Sequence, residues 1–334
     1  MLSVLAGRPT PGPSLAGRRA ITHKKGFVAQ VGTGRALSAI HRNRRANHFL
    51  PSGRAGEGAL NLKIMDILQE IIAWKRIEVE QFKSAVPPKT LYDTVENMLE
   101  RKPSSMSRAL ADSRSGIIAE FKRRSPSKGW IRQDGRADCI PVAYQRNGAA
   151  ALSILTDQKY FGGQDDYIAE ARLSGVSIPI LYKNFVVDEY QIFQARKCGA
   201  SAVLLIAAAL PLKQCRQLLH TAHQLGLEVL LEIHGEGELD YAELEPDMLG
   251  VNNRHLGTFV TDVKVSFDIA GKLPREGCKV SESGISNPQT VADLRAAGFK
   301  GFLMGEFFMK NANPAAALYD FIRDLDNKSS IEAV

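Results

Sequence analysis

The stretch IIAEFKRRSPSKG, residues 117–129, sets a carboxylate, Glu120, and an ammonium, Lys122, two places apart on a segment that reads as a buried strand. Alternation along a strand turns both side chains to one face. Ionisable groups are expensive in an apolar interior, so a pair closing a strand needs a reason, and proton transfer on an anionic substrate supplies one. Other apolar runs end the same way: Lys183 follows ILY, Glu232 sits in LLEI, Asn252-Asn253-Arg254 follow LGV, and Glu282-Ser283-Gly284 follow CKVS. Taken singly, each has a plainer reading. Lys183 fits a loop lysine, Glu232 an internal ion pair, Glu282 a group that orients its neighbours, and either Asn a partner for backbone at a strand end. Their recurrence at one kind of position favours a shared site.

The elements that would position them follow from the hydrophobic pattern. Eight apolar runs, at 116–121, 149–155, 178–182, 201–206, 227–233, 246–251, 278–282 and 300–304, are separated by helical stretches such as 188–197, 212–224 and 288–297. Strict alternation of strand and helix implies parallel pairing, with strands covered on both faces. Eight units predict an α/β fold, a closed (β/α)8 TIM barrel, whose reactive groups belong at the C-terminal strand ends. A doubly wound open sheet is the alternative, but the first strand runs into FKRRSPSKG and not into a Gly-rich dinucleotide turn. Ahead of the barrel, Ile64, Ile67, Leu68, Ile71, Val79 and Phe82 recur at helical spacing until Pro87-Pro88 stops the run. A second helix is expected in LYDTVENMLERK, making an N-terminal helical extension over 62–101.

The seventh and eighth strand ends, SESGIS and GFLMGE, place small residues where main-chain N–H groups could approach an anion. Such loops form the phosphate site of many barrels. Ser283, Gly284, Gly305 and Glu306 are the candidate contacts, Glu306 through its N–H because its carboxylate would repel a phosphate. The plainer reading makes both glycines turn residues.

Composition bounds the rest. The 334 residues, 44% hydrophobic and 24% charged, suit a soluble globular protein, and no apolar run approaches the roughly 18–20 residues needed to span a bilayer. The net charge of +7 is concentrated at one end. Residues 1–56 hold ten Lys or Arg and no Asp or Glu, so removing them turns 43 basic against 36 acidic residues into 33 against 36. That composition is expected of a transit peptide, with a plastid favoured over a mitochondrion, and leaves 57–334 as a single barrel domain. A basic arm for nucleic acid competes, but no aromatic-studded RNA motif or helix-turn-helix accompanies it. Cys139, Cys198, Cys215 and Cys278 lack metal-binding spacing and read as reduced structural thiols. His220 and His223 could share a metal, though a solvated helix face is the simpler account.

With these residues in place, IIAEFKRRSPSKG, LTDQKYFGG, LYKNFVVDEYQI, LLEIHGEGEL, LGVNNRHLGTF, VSESGIS and FLMGEFFMK resemble the successive strand-end motifs of indole-3-glycerol phosphate synthase, over about residues 64–322. The resemblance implies closure of the indole ring of 1-(2-carboxyphenylamino)-1-deoxyribulose 5-phosphate, with loss of carbon dioxide and water and without metal or organic cofactor. It implies Lys183 as proton donor, Glu232 as base or charge stabiliser, Lys122 with Glu120 in phosphate binding and dehydration, and Asn252 in substrate positioning. Arg254 and Ser125 become the candidates for the substrate carboxylate, and Glu282 joins Ser283 and Gly284 among the binding residues. The only partner expected is this anionic phosphosugar, with no nucleic acid or membrane. Two residues depart from the family's pattern: Asn184, where Asp is usual after the lysine, and His255, where Asp commonly follows the arginine. Phosphoribosylanthranilate isomerase, another phosphosugar barrel, would be expected to use a Cys/Asp pair at its strand ends where this chain has Glu120 and Lys122. A non-catalytic phosphate-binding barrel would be expected to have lost some of these groups.

Overall fold

The computed structural model describes residues 67–331, which lie within one compact unit, Leu62–Val334. The basic segment 1–56 and the first residues of the expected N-terminal helix lie outside the described residues. Among the described residues, no helix is long and apolar enough to cross a membrane.

Eight parallel strands close into a barrel: β1 Ile117–Phe121, β2 Ala151–Leu155, β3 Ile180–Lys183, β4 Ala202–Ile206, β5 Glu228–Ile233, β6 Met248–Asn252, β7 Cys278–Glu282 and β8 Gly301–Met304. Each pairs with the next, and β8 returns to β1 through Ile117 opposite Phe302. This is the (β/α)8 barrel that the alternation predicts. Several strands start one or two residues later than the apolar runs, because the entering residues lie ahead of the regular strand pairing.

The strands are buried on both faces, which explains their lack of clean alternation. One set of side chains, including Ile118, Leu181, Leu230, Met248, Val280 and Leu303, fills the barrel interior. The other set packs outward under the helices in a second, larger cluster.

Among the described residues, three helices precede the barrel. In α1, Ile67–Ala85, the apolar stripe of Leu68, Ile71, Ile72 and Val79 is buried. The proline pair does more than end this run. Pro88 opens α2, Pro88–Glu96, whose span therefore starts and stops earlier than the sequence suggests. Proline suits a first helical turn, where an N–H would lack a partner anyway. The third helix, α3, Met106–Asp112, carries no strong periodic signal, yet it inserts Met106 and Leu110 into the interior cluster. Its first turn is held by Glu228 at the entrance of β5, whose carboxylate accepts from the N–H groups of Met106 at 2.7 Å and Ser107 at 2.8 Å. The N-terminal end of the barrel is thereby stoppered, and the opposite end is left for the site.

Candidate active site

The C-terminal strand ends surround a cavity of about 930 Å³, and all twelve residues singled out above line it: Glu120, Lys122, Ser125, Lys183, Glu232, Asn252, Arg254, Glu282, Ser283, Gly284, Gly305 and Glu306. A cavity of that size is ample for a small organic substrate. At its centre the Lys183 ammonium lies 3.1 Å from Oε2 of Glu232 and 2.8 Å from Oε2 of Glu282. The ends of β3, β5 and β7 thus meet in one cluster, because alternation turns Lys183, Glu232 and Glu282 inward.

Burial works against the charge on Lys183, but Glu232, Glu282 and Glu120 outweigh it and hold its pKa above the ordinary lysine value. The two carboxylates are driven apart. Burial lifts Glu282 to about 7, with Lys183 opposing and Glu232 assisting. Burial also presses upward on Glu232, yet Lys183, the His234 ring and the Asn252 side chain prevail, and its pKa falls well below the usual carboxylate range. One fixed anion, one ammonium and one carboxyl able to exchange a proton near neutrality therefore share one buried cluster. Such divergence separates acid from base roles.

Glu282 accordingly stands with the lysine. Its other oxygen, Oε1, is buried with no hydrogen-bond partner. Ser283 adopts φ of +69°, a left-handed conformation that a residue with a β-carbon seldom takes. Strain of this kind persists where surrounding structure imposes it, as it often does at ligand sites.

Just past the end of β1, Lys122 meets Glu120 at 2.6 Å. A β-carbon on Gly305 would overlap the Glu120 carboxylate, so this glycine serves close packing against Glu120. Arg254 reaches across the mouth to Ser127 Oγ at 3.1 Å and to Glu306 at 3.5 Å. The Glu306 carboxylate is thus turned to an arginine, which leaves its main-chain N–H as the group available to an anion. Ser125 Oγ is buried without a partner and so remains free to bind a ligand.

Asn252 and Asn253 separate by position. Asn252 lines the cavity, and its Oδ1 accepts from the Arg254 N–H at 3.0 Å. Asn253 is buried among Ser266, Ser281 and the Ser283 carbonyl, where it braces the strand ends.

The same cavity also has apolar lining: Leu68 and Ile71 of α1, with Phe161, Phe185, Leu204 and Ile206, the last paired in register with Glu232. Helix α1 is fixed there by Lys75, buried in an ion pair with Glu78 on its own helix and with Asp157 at 2.6 Å on the loop after β2. Asp157 also caps the turn that carries Phe161. Sequence reasoning missed Lys75, which looks like one of the helix's solvated charges, and it missed the aromatic wall. A paired cation on an otherwise apolar face is visible only once the facing loop is placed.

Elsewhere, all four cysteines are free, and His223 pairs with Asp247 at 2.7 Å on a partly exposed helix face.

The family model for indole-3-glycerol phosphate synthase matches residues 68–321, the barrel with nearly all of α1. The indole-3-glycerol phosphate synthase of Bacteroides thetaiotaomicron is 55% identical over 258 residues, covering 77% of this chain and 98% of the relative; that of Laribacter hongkongensis is 42% identical, covering 76% and 97%. The chain belongs to the indole-3-glycerol phosphate synthase family. Among solved structures, the lactate oxidase of Pediococcus acidilactici (TM-score 0.51, 14% identity, 66% of this chain and 71% of that one) and the 3-hexulose-6-phosphate synthase of Salmonella typhimurium (0.50, 15%, 63% and 98%) share the barrel fold alone.

Both departures from the indole-3-glycerol phosphate synthase pattern find local accounts. Asn184 donates to Thr156 Oγ1 at 2.8 Å and to the Tyr182 hydroxyl at 3.1 Å, and its Oδ1 accepts from the Phe185 N–H. It is fully engaged in holding the loop after β3. The ring of His255 accepts at Nδ1 from the N–H groups of Gly257 and Thr258, closing the turn of its own loop.

Proposed function

We infer that this chain closes the indole ring of 1-(2-carboxyphenylamino)-1-deoxyribulose 5-phosphate to give indole-3-glycerol phosphate, with Lys183 as the acid of ring closure. The observation that carries the reading is the Lys183 ammonium, pinned between Glu232 and Glu282 at the mouth of the barrel. The aromatic carbon bearing the carboxylate attacks the ribulosyl carbonyl carbon, whose oxygen must gain a proton as the π bond breaks. An ammonium held charged at the centre of the cavity supplies it, a contribution of roughly 10²–10⁴ in rate. Positive charge left on the ring system is met by the buried Glu232 anion, where such stabilisation is stronger than in water. Loss of carbon dioxide restores the aromatic ring.

Dehydration then needs a donor to the departing hydroxyl and a base for the proton left behind. Lys122 and Glu120 form a donor and acceptor pair beside the anion corner, and Lys122 also offers charge to the phosphate. Arg254 and Ser125 suit the substrate carboxylate, Arg254 through the planar fork of its guanidinium. The apolar wall of Phe161, Phe185 and Leu204 suits the anthranilate ring. Indole fluorescence on mixing the purified chain with the substrate tests the reading, and no product at micromolar protein refutes it.

For residues 1–56, we propose import into a plastid followed by removal. The acid-free, Arg-rich composition supports this, and the family match begins only at residue 68. Sequencing the amino terminus of organelle-isolated protein checks it: a trimmed chain is expected, and an intact Met1 contradicts processing.

A further inference from the structure

On the side of Glu232 away from Lys183 stands a histidine that the reaction described above leaves unused. His234 follows Glu232 by two residues where β5 ends, and its ring does not line the cavity. Its Nε2 lies 3.2 Å from Oε1 of Glu232, and its Nδ1 lies 3.5 Å from Oε2 of Glu238. That same Glu238 oxygen accepts from the His234 main-chain N–H at 2.7 Å. The ring contacts are close, though bent away from ideal hydrogen-bond alignment.

Each oxygen of Glu232 therefore has its own nitrogen partner, Lys183 at Oε2 and His234 at Oε1. Burial opposes charge on the imidazole, but Glu232 and Glu238 outweigh it and lift its pKa to about 10. The ring is an imidazolium at neutral pH. The charged and polar groups that face Glu232 are Lys183 from β3, Asn252 from β6, Glu282 from β7 and His234 itself; Glu238 faces the histidine from the 3-10 segment Glu236–Leu244.

We propose that His234, clamped by Glu238, is a positioning residue for ring closure: it fixes the Glu232 carboxylate so that Oε2 stays on Lys183. The proposal rests on the role given to Glu232 above. A carboxylate held at one oxygen can rotate about its last bond, and a donor hydrogen-bonded to it then loses its aim. Held at both oxygens, it keeps the lysine on one line, which is the preorganisation that electrostatic catalysis requires.

The test uses the full chain carrying His234→Gln or Glu238→Gln, each alone and combined with Glu232→Gln, with kcat and KM followed across pH. His234→Gln is expected to lower kcat roughly 10- to 100-fold, the worth of a contact to a charged group, with KM within about twofold. The acid limb of its kcat profile should move to higher pH, because Glu232 loses a neighbouring cation and its pKa rises. Glu238→Gln should lower kcat in the same way by less, and it carries the test if His234→Gln fails to fold. In the Glu232→Gln background both changes should be nearly silent. An unshifted limb, or an equal loss with and without the Glu232 carboxylate, overturns the proposal while wild-type activity stands. Wild-type protein that makes no product overturns the functional reading itself.

Discussion

A β-carbon on Gly250 would fall within contact distance of Oε1 of Glu282, so the glycine is the space in which that carboxylate sits. From there the other oxygen reaches Lys183 at 2.8 Å. Gly250→Ala should displace Glu282, lengthen its contact with the lysine and lower kcat by about tenfold or more, the worth of a charged hydrogen bond. Steady-state kinetics beside a thermal melt check this. Full kcat in a well-folded variant would contradict it.

Burial lifts the Glu282 carboxyl from its ordinary 4.5 to about 7, so it exchanges a proton near neutrality while Glu232 stays ionised. The kcat profile should bend near neutral pH, and Glu282→Gln should remove the bend. The sign for stability follows from the same shift. A carboxyl with a raised folded-state pKa contributes its stabilisation fully below the unfolded value, and this is lost as pH rises from 4.5 through about 7. Urea midpoints of Glu282→Gln should therefore fall less than those of the wild type across that window.

How much of this is legible in the sequence differs from residue to residue. Lys183, Glu232 and Glu282 stand out because a charged residue at the end of an apolar strand is costly without a purpose. Their meeting is also legible, since a parallel barrel puts all such ends on one rim. What cannot be read is any partnership set by distance in sequence. Lys75 lies on the helix before the barrel, and only the arrival of Asp157, 82 positions on, distinguishes it from a solvated lysine. Helix α3 is too short for periodicity to reveal, and its plug residues gain meaning from the hole they fill. His234 reads as a loop residue until Glu238 folds back onto it.

Glu228 shows the same dependence on the opposite rim. Its carboxylate accepts from Met106 N–H and Ser107 N–H and from the hydroxyls of Ser105 and Ser107. Glu228→Ala should leave the first turn of α3 unsatisfied and cost about 2–3 kcal/mol in urea unfolding, the scale of lost hydrogen bonds to a charged group. Because the plug is at the far end from the cavity, kcat per folded molecule should be unchanged. A large kcat effect without destabilisation would contradict the separation of the two ends.

The central claim is that Lys183 donates the proton of ring closure. Single-turnover formation of indole product by Lys183→Met, with substrate binding measured by titration calorimetry, tests it most directly. Removing the ammonium should slow product formation by roughly 10²–10⁴ while the substrate still binds through the anion corner and Arg254. Near-normal product formation by Lys183→Met would contradict it and move the acid role to Lys122.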